Sequence, residues 1–373
     1  MHVVHLYKDY APVKGGIEGH IKTLSEGLVA RGYRVTVVVC QPYGYILAPD
    51  EVINGVRVIR LPRHIDVASN AWSFGFVQTI RALAPDVLHL QMPWPAGDFV
   101  AWRLADIPLV VSYQSDVIRQ KTLLLLYAPL LRWTLGHASA ILVSSQRYAS
   151  SSPWLQNDQY RLQEVPLGIV DPHDVPVNVG GDFACDLPEQ YVLWVGRMRY
   201  YKGLETAIRA MCDVPQPIKL VLVGSGPVEQ GLRALAIECA VVDRIVWLGD
   251  VADRDLARIR AGASCFVFPS QFRSEAYGIA LLEAIAAGVP AISCEIGTGT
   301  SVINQHDLTG VVISPNDPLA CAAAISRICL DEALRTRYSV AARAHYIANY
   351  GVQKMIDSVA AIYQQVKKPS SGS

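Results

Sequence analysis

The chain has 373 residues, and its 33 Lys plus Arg are matched by 33 Asp plus Glu. A zero formal charge excludes nucleic-acid binding through a broadly basic surface, and the length exceeds one ordinary core and suits two domains. The eight cysteines, Cys40, Cys185, Cys212, Cys239, Cys265, Cys294, Cys321 and Cys329, show no zinc-like spacing and read as buried thiols in a reducing compartment.

In chain order, MHVVHLY opens as a strand with no basic or long apolar leader ahead of it, so no signal peptide is expected and the cytoplasm is the expected compartment. After a glycine turn, IEGHIKTLSEGLVARG has helical periodicity, and YRVTVVVC and GVRVIRLP are strands. FGFVQTIRALAPDVLHLQ and FVAWRLADIPLVVSYQ each give a helix and then a strand. The apolar stretch LLLLYAPLLRWTL, from Leu123 to Leu135, is too short for a membrane span and is interrupted by Pro129. ASAILVSS and LQEVPLG complete a first domain over residues 1–170.

Residues 171–188, rich in Pro, Gly and Asp, read as a linker. Strand–helix alternation restarts at QYVLWVG and continues through IKLVLVG, RIVWLG, SCFVFPS, VPAISCE and TGVVISP, giving a second domain over 189–350. A last helix and tail occupy 351–373. The fold class expected is α/β, with two doubly wound Rossmann-like domains whose C-terminal strand ends face a central cleft.

Several polar residues fall at those strand ends. Gly15 and Gly16 lie between the first strand and a helix, where a phosphate could approach free amides, although a tight turn needs the same residues. In VGRMRYYKG, Arg197 and Lys202 flank a strand-to-helix turn and suit a diphosphate, and an ordinary solvated turn has the same composition. Gly224, Ser225 and Gly226 repeat the arrangement. In SEAYGIALLEAIAAGVP, Glu275 precedes a helix and Glu283 lies within it. Their separation of nearly two turns lets both face one cavity. Glu283 needs a partner in its apolar helix, either a sugar hydroxyl or a buried structural cation. His89 and Trp94 flank a strand end, and Trp94 could cover a sugar face or pack in a core. In VVSYQSDVIRQK, Gln114 and Asp116 follow a strand, and Arg119 and Lys121 could meet an anionic acceptor or open a solvated helix.

The motifs GGIEGH, VGRMRYYKG, LVGSGP and SEAYGIALLEAIAAGVP, in this order, resemble the retaining glycosyltransferases of family 4. Within that family, VVSYQSDVIRQK and GTGTSVINQHDLTG are most similar to bacterial mannosyl- and rhamnosyltransferases of polysaccharide assembly. The resemblance implies a GT-B fold, with the last helix crossing back to the first domain. It implies transfer of mannose, or a related sugar such as rhamnose, from a GDP-sugar to a glycan hydroxyl, forming an alpha linkage. The acceptor implied is lipid-linked, which places the enzyme against the cytoplasmic membrane face. Neither a prosthetic group nor a metal is implied, and no nucleic-acid partner. A UDP-hexose-dependent enzyme and a non-catalytic nucleotide-sugar-binding protein are the alternatives.

On the same resemblance, Arg197, Lys202, Glu275 and Gln114 are the expected catalytic residues. Donor binding is expected from Gly15, Gly16, Arg197, Lys202, Gly224, Gly226, Val251, Glu275, Tyr277, Gly278, Ile279, Glu283, Thr298 and Gly299. Acceptor binding is expected from His89, Trp94, Asp116, Arg119 and Lys121. The sequence departs from the family at Gln114, where relatives carry histidine. A glutamine can hold a hydroxyl but cannot titrate near neutrality.

Overall fold

The computed structural model describes residues 1–13, 15–67, 70–116, 121–157, 159–174 and 187–367, with the backbone alone at 67, 121–124 and 160. The sequence candidate Arg119, the thiol Cys185 and most of the proposed linker lie outside the described residues, as does the side chain of Lys121. The chain divides into two compact units. Unit 1 is Met1–Gly168 with the segment from Val352 onward, and unit 2 is Ile169–Gly351.

Unit 1 begins with β1 (His2–Leu6), α1 (Gly16–Ala30) and β2 (Arg34–Cys40). Two hairpin strands follow, β3 (Asp50–Ile53) and β4 (Val56–Leu61). Then come β5 (Ile65–Val67), β6 (Asn70–Trp72), α2 (Phe76–Leu83), β7 (Val87–Met92) and α3 (Pro95–Arg103). The last elements before unit 2 are β8 (Leu109–Tyr113), α4 (Lys121–His137), β9 (Ala140–Val143), α5 (Gln146–Ser151) and β10 (Leu162–Glu164).

The main sheet of unit 1 has the order β10-β9-β8-β7-β1-β2-β4-β3. All its pairs are parallel except β3–β4. Its central strands are buried on both faces, which accounts for their continuous Val, Leu and Ile composition. The β3 strand does not appear in the pattern reading above. Its turn, Asn54 and Gly55, has φ of 48° and 82°, the double left-handed conformation that a two-residue hairpin requires.

The helix α4 runs unbroken through Pro129. Pro129 lacks the N–H that would reach the carbonyl of residue 125. Both Leu125 and Pro129 are exposed, so the orphaned carbonyl lies on a face open to water.

Unit 2 contains β11 (Tyr191–Val195), α6 (Leu204–Ala210), β12 (Lys219–Val223), α7 (Glu229–Glu238), β13 (Ile245–Gly249), α8 (Asp253–Ala261) and β14 (Cys265–Phe268). It continues with α9 (Ile279–Ala286), β15 (Ala291–Cys294), α10 (Thr300–Ile303), β16 (Gly310–Ile313), α11 (Pro318–Leu330) and α12 (Glu332–Asn349). The sheet is wholly parallel, in the order β13-β12-β11-β14-β15-β16. Trp194, Leu220, Leu222, Ile325 and Tyr338 lie in its core.

The final helix, α13 (Val352–Val366), packs on α1 of unit 1. A Cβ on Gly27 would lie 2.0 Å from the Ile356 side chain, so any larger residue there would force Ile356 to move. Arg31 of α1 donates to Asp357 at 2.7 Å. Both sheets reverse their strand order once, between β1 and β7 in unit 1 and between β11 and β14 in unit 2. Open α/β sheets bind ligands beyond the strand ends at such reversals.

The cysteines depart in part from expectation. Cys40, Cys265, Cys294, Cys321 and Cys329 are buried free thiols, whereas Cys212 is exposed and Cys239 half-buried. Cys212 follows the C-terminal end of α6, where the chain leaves the core.

Candidate functional site

Three loops at the strand ends of unit 2 are joined through their backbones. Gly196 after β11 donates to Val223 at 3.0 Å, Met198 donates to Ser225 at 2.8 Å, and Gly224 donates to Gly249 at 2.7 Å. The glycines allow this spacing. Gly224 has φ of 112°, and a Cβ there would lie 2.0 Å from the Gly196 carbonyl oxygen. A Cβ on Gly226 would lie 2.3 Å from the Met198 carbonyl oxygen. Ser225 donates to Asp250 at 3.0 Å, and the half-buried Val251 follows on the third loop.

A short 3-10 turn, Tyr200–Lys202, leads to Gly203 at φ 65°. A Cβ on Gly203 would lie 1.9 Å from the Pro269 carbonyl oxygen, so glycine lets this turn press against the loop after β14. Gln271 N–H donates to the Tyr201 carbonyl at 3.0 Å across the same junction. The result is an ion pair between Lys202 and Glu275 spanning the β11–β14 reversal, with both side chains largely buried. Ser270 also donates to Glu275, at 3.3 Å. The Lys202 ammonium lies 5.1 Å from the Phe268 ring centroid. Arg197 is exposed and has no partner among the described residues.

Glu283 does not stand beside Glu275 on one helical face. Residues 275–278 precede α9, and Gly278, at φ 92°, caps that helix, so a two-turn helical spacing cannot relate the two carboxylates. Each instead has its own cation. Arg260 of α8 donates to Glu283 Oε2 at 2.6 Å. Burial pushes the Glu283 carboxyl above its ordinary range; Arg260 opposes that shift and Asp253 adds to it. Arg260 was not a sequence candidate.

Tyr277 and Gly278 are buried and Ile279 is half-buried at the start of α9. In the GTGTS loop, Thr298 is fully buried with its hydroxyl against that of Thr300 at 3.3 Å. The Gly299 amide donates to the Ala276 carbonyl at 3.1 Å. In this structure neither the Thr298 side chain nor the Gly299 amide is offered to a ligand. The Thr298 hydroxyl bonds within its own loop, and the Gly299 amide ties that loop to the segment before α9.

In unit 1, Gly15 and Gly16 are exposed at the start of α1. The Glu18 carboxylate folds back there, and a Cβ on Gly15 would lie 2.0 Å from its Oε2. His89 and Trp94 are corrected by the structure, because both are core residues. Trp94 is 1% exposed, donates to the Ala71 carbonyl at 3.0 Å and meets Phe76 edge-on. His89 lies in the middle of β7, fully buried, bound to Ser112 at 2.8 Å and to Tyr363 of α13 at 2.5 Å.

His89 nevertheless belongs to a polar chain that reaches the strand ends. Gln91 lies 3.3 Å from His89 Nε2, and the half-buried Gln114 donates to Gln91 Oε1 at 3.1 Å. This bond uses one of the two N–H donors of the Gln114 amide and fixes which way its Oε1 points. Asp116 accepts from Tyr113 at 2.9 Å and from Ser152 at 2.7 Å. A cavity of about 480 Å³ in the same unit is lined by Arg132, Trp154 and Asn157, among others. None of the sequence candidates among the described residues lines it.

No group of three His, Cys, Asp or Glu that could hold a metal occurs among the described residues, and no helix there is long and apolar enough to cross a membrane.

Two doubly wound α/β units, each with polar loops at its strand ends, are an architecture of GT-B type. Residues 183–345 match "Glycosyl transferases group 1", and residues 15–168 match "Glycosyl transferase 4-like domain". The chain is 33% identical to "O-antigen chain mannosyltransferase C" of Escherichia coli, covering 100% of both chains. It is 36% identical to "D-rhamnosyltransferase WbpZ" of Pseudomonas aeruginosa, over 86% of this chain and 84% of that protein. The structure of sucrose-phosphate synthase from Thermosynechococcus elongatus matches its fold with a TM-score of 0.79, at 21% identity and 98% coverage of both chains. The chain belongs to the group 1, family 4-like glycosyltransferases of GT-B fold.

Proposed function

We propose that the protein is a retaining glycosyltransferase that moves mannose, or a related sugar such as rhamnose, from a GDP-sugar to a hydroxyl of a lipid-linked glycan. The observation that carries this reading is the Lys202–Glu275 pair at the strand reversal of unit 2, with exposed Arg197 on the adjoining loop. Two cations at one rim suit a departing diphosphate, where their fixed charge stabilises the transition state more than the ground state. Glu275, held by Lys202, would accept from hydroxyls of the transferred sugar. The names of the mannosyl- and rhamnosyltransferase relatives support the sugar class.

In the reaction proposed, the bond from the sugar's anomeric carbon to the diphosphate oxygen breaks. The acceptor hydroxyl oxygen bonds to the same carbon on the same face. Its proton passes to the departing phosphate oxygen, so no protein base is needed and Gln114 does not have to titrate. Its free Oε1 can accept from a sugar hydroxyl. This chemistry needs no resident metal or prosthetic group. On α4, Leu125 and Leu126 are 77% and 82% exposed, which supports a peripheral contact with the membrane carrying the acceptor.

The test is a mass-spectrometric product assay with GDP-mannose, GDP-rhamnose and UDP-hexoses against lipid-linked glycan acceptors. A GDP-sugar product with retained anomeric configuration is expected. Turnover with UDP-hexoses alone would overturn the GDP assignment. Nucleotide binding without turnover on any acceptor would favour a binding protein.

A further inference from the structure

The helix α8 carries three arginines, and they are not alike. Arg254 and Arg258 are exposed, whereas Arg260 is 6% exposed. Its Nη2 donates to Glu283 at 2.6 Å, while its Nε is buried with no partner among the described residues. Burying a guanidinium with one donor unsatisfied is costly, so packing alone does not account for the side chain. The other member of the pair is more open. The Glu283 side chain keeps 34% exposure, and only its Oε2 is engaged by Arg260.

We propose that Arg260 is a positioning residue, which fixes Glu283 through Oε2 so that its open side accepts from the vicinal hydroxyls of the donor's ribose. This rests on the nucleotide-sugar reading above and extends it to a residue outside the sequence motifs. The placement is suited to the task. The loop at Gly249–Val251 runs directly into α8, whose last turn delivers Arg260 to Glu283 on α9. A fixed acceptor loses little freedom when a diol binds, whereas a mobile glutamate would have to be ordered at that moment. A carboxylate with both oxygens free would also lack a defined direction. The guanidinium uses one oxygen and leaves the other for the ligand.

The experiment is calorimetric binding of GDP and 2′,3′-dideoxy-GDP, with UDP and its dideoxy form in parallel, to the full chain and three variants. Wild type is expected to prefer the ribose form about tenfold, the worth of a hydrogen bond to a charged acceptor. Arg260→Gln is expected to bind the ribose form about tenfold more weakly and the dideoxy form unchanged. Arg260→Lys, which keeps charge without the planar fork, should fall between them. Glu283→Gln should lose the same preference.

Equal weakening of both nucleotide forms in Arg260→Gln means a structural role and overturns the proposal. So does a full ribose preference in folded Arg260→Gln. If that variant does not fold, an undiminished ribose preference in folded Glu283→Gln overturns it instead. Wild type binding ribose and dideoxy forms equally removes the role of Arg260 alone. Wild type binding neither base overturns the donor reading and this role together.

Discussion

The strand-end rims of the two units solve different electrostatic problems. In unit 2 the polar groups are ions held in pairs, Lys202 with Glu275 and Arg260 with Glu283. In unit 1 the rim carries Asp116, which accepts from Tyr113 and Ser152, and beside it a neutral chain runs from the half-buried Gln114 amide through Gln91 to His89 in the core. Paired charges can regroup around an anion because each already has a counter-ion and loses little solvation when the ligand arrives. Neutral amides cannot stabilise a diphosphate, but they fix direction without a charge that must be desolvated. Under the proposed function, the difference fits diphosphate contacts to unit 2 and an uncharged hydroxyl contact at Gln114 to unit 1.

The largest effect expected from breaking this contrast is at Lys202. Lys202→Met removes a cation and leaves Glu275 without its counter-charge. A fall in kcat of about 100- to 1000-fold is expected, matching the loss of one preorganised stabilising group. The check is steady-state kinetics at saturating donor, with circular dichroism confirming the fold. A fall of less than about fivefold would mean that Arg197 alone carries the diphosphate.

Two single glycines, one from each unit, give a second contrast. Gly224→Ala in unit 2 places a Cβ against the Gly196 carbonyl oxygen at a left-handed φ of 112°. A loss of about 3 kcal/mol is expected from backbone strain and overpacking together. Gly19 of α1, in unit 1, has nothing within 4 Å of its missing Cβ. Gly19→Ala is expected to stabilise by about 0.5–1 kcal/mol, the helix-propensity difference. Chemical denaturation of both variants tests the pair, and equal effects would show that the close approach of the unit 2 loops relaxes freely.

Much of this was legible in the sequence. The strand–helix alternation gives both sheets, and the loop residues Lys202 and Glu275 stand out because glycines punctuate the turns beside them. The hairpin strand β3 was missed although Asn54–Gly55 signals it, because DEVI lacks the apolar character of the inner strands. His89 was misplaced although the strand end near Gln91 was read to within one residue, because sequence does not show that a histidine inside the strand faces the core. The β7 strand continues to Met92, leaving His89 within the sheet. Arg260 was invisible for a different reason. Its partner lies 23 residues away on another helix, and in a charged helix nothing marks the one arginine that turns inward.

Unit 1 also contains a pH-dependent cost. His5 and His20 are buried, and burial pushes their pKa values down to about 3 and about 4. Both ring nitrogens of His5 lack partners among the described residues. Below pH 6.5 the unfolded chain protonates these rings while the folded chain does not, so stability falls as pH drops toward the folded values. Asp98 works in the opposite sense, because burial pushes its carboxyl up to about 7. The measurement is therefore a difference. The stability of His5→Phe relative to wild type should rise by about 2–3 kcal/mol between pH 7.5 and 4.5, at about 1.4 kcal/mol per pH unit below 6.5. A constant difference across that range would mean that the His5 ring is solvated.

The smallest effect tests the neutral rim itself. If Gln114 presents Oε1 to a hydroxyl because Gln91 holds its nitrogen, two substitutions should differ in a defined way. Gln114→Leu removes the acceptor and should lower kcat/KM about tenfold, one hydrogen bond's worth. Gln91→Leu leaves the acceptor in place but frees the amide to rotate, so a fall of about threefold is expected. The double variant should be no worse than Gln114→Leu, since both act through one atom. Gln114→His should keep part of the activity, because an imidazole nitrogen can accept the same bond. Full activity in Gln114→Leu would remove hydroxyl recognition from this position and leave the chain through Gln91 and His89 as a structural device of the unit 1 core.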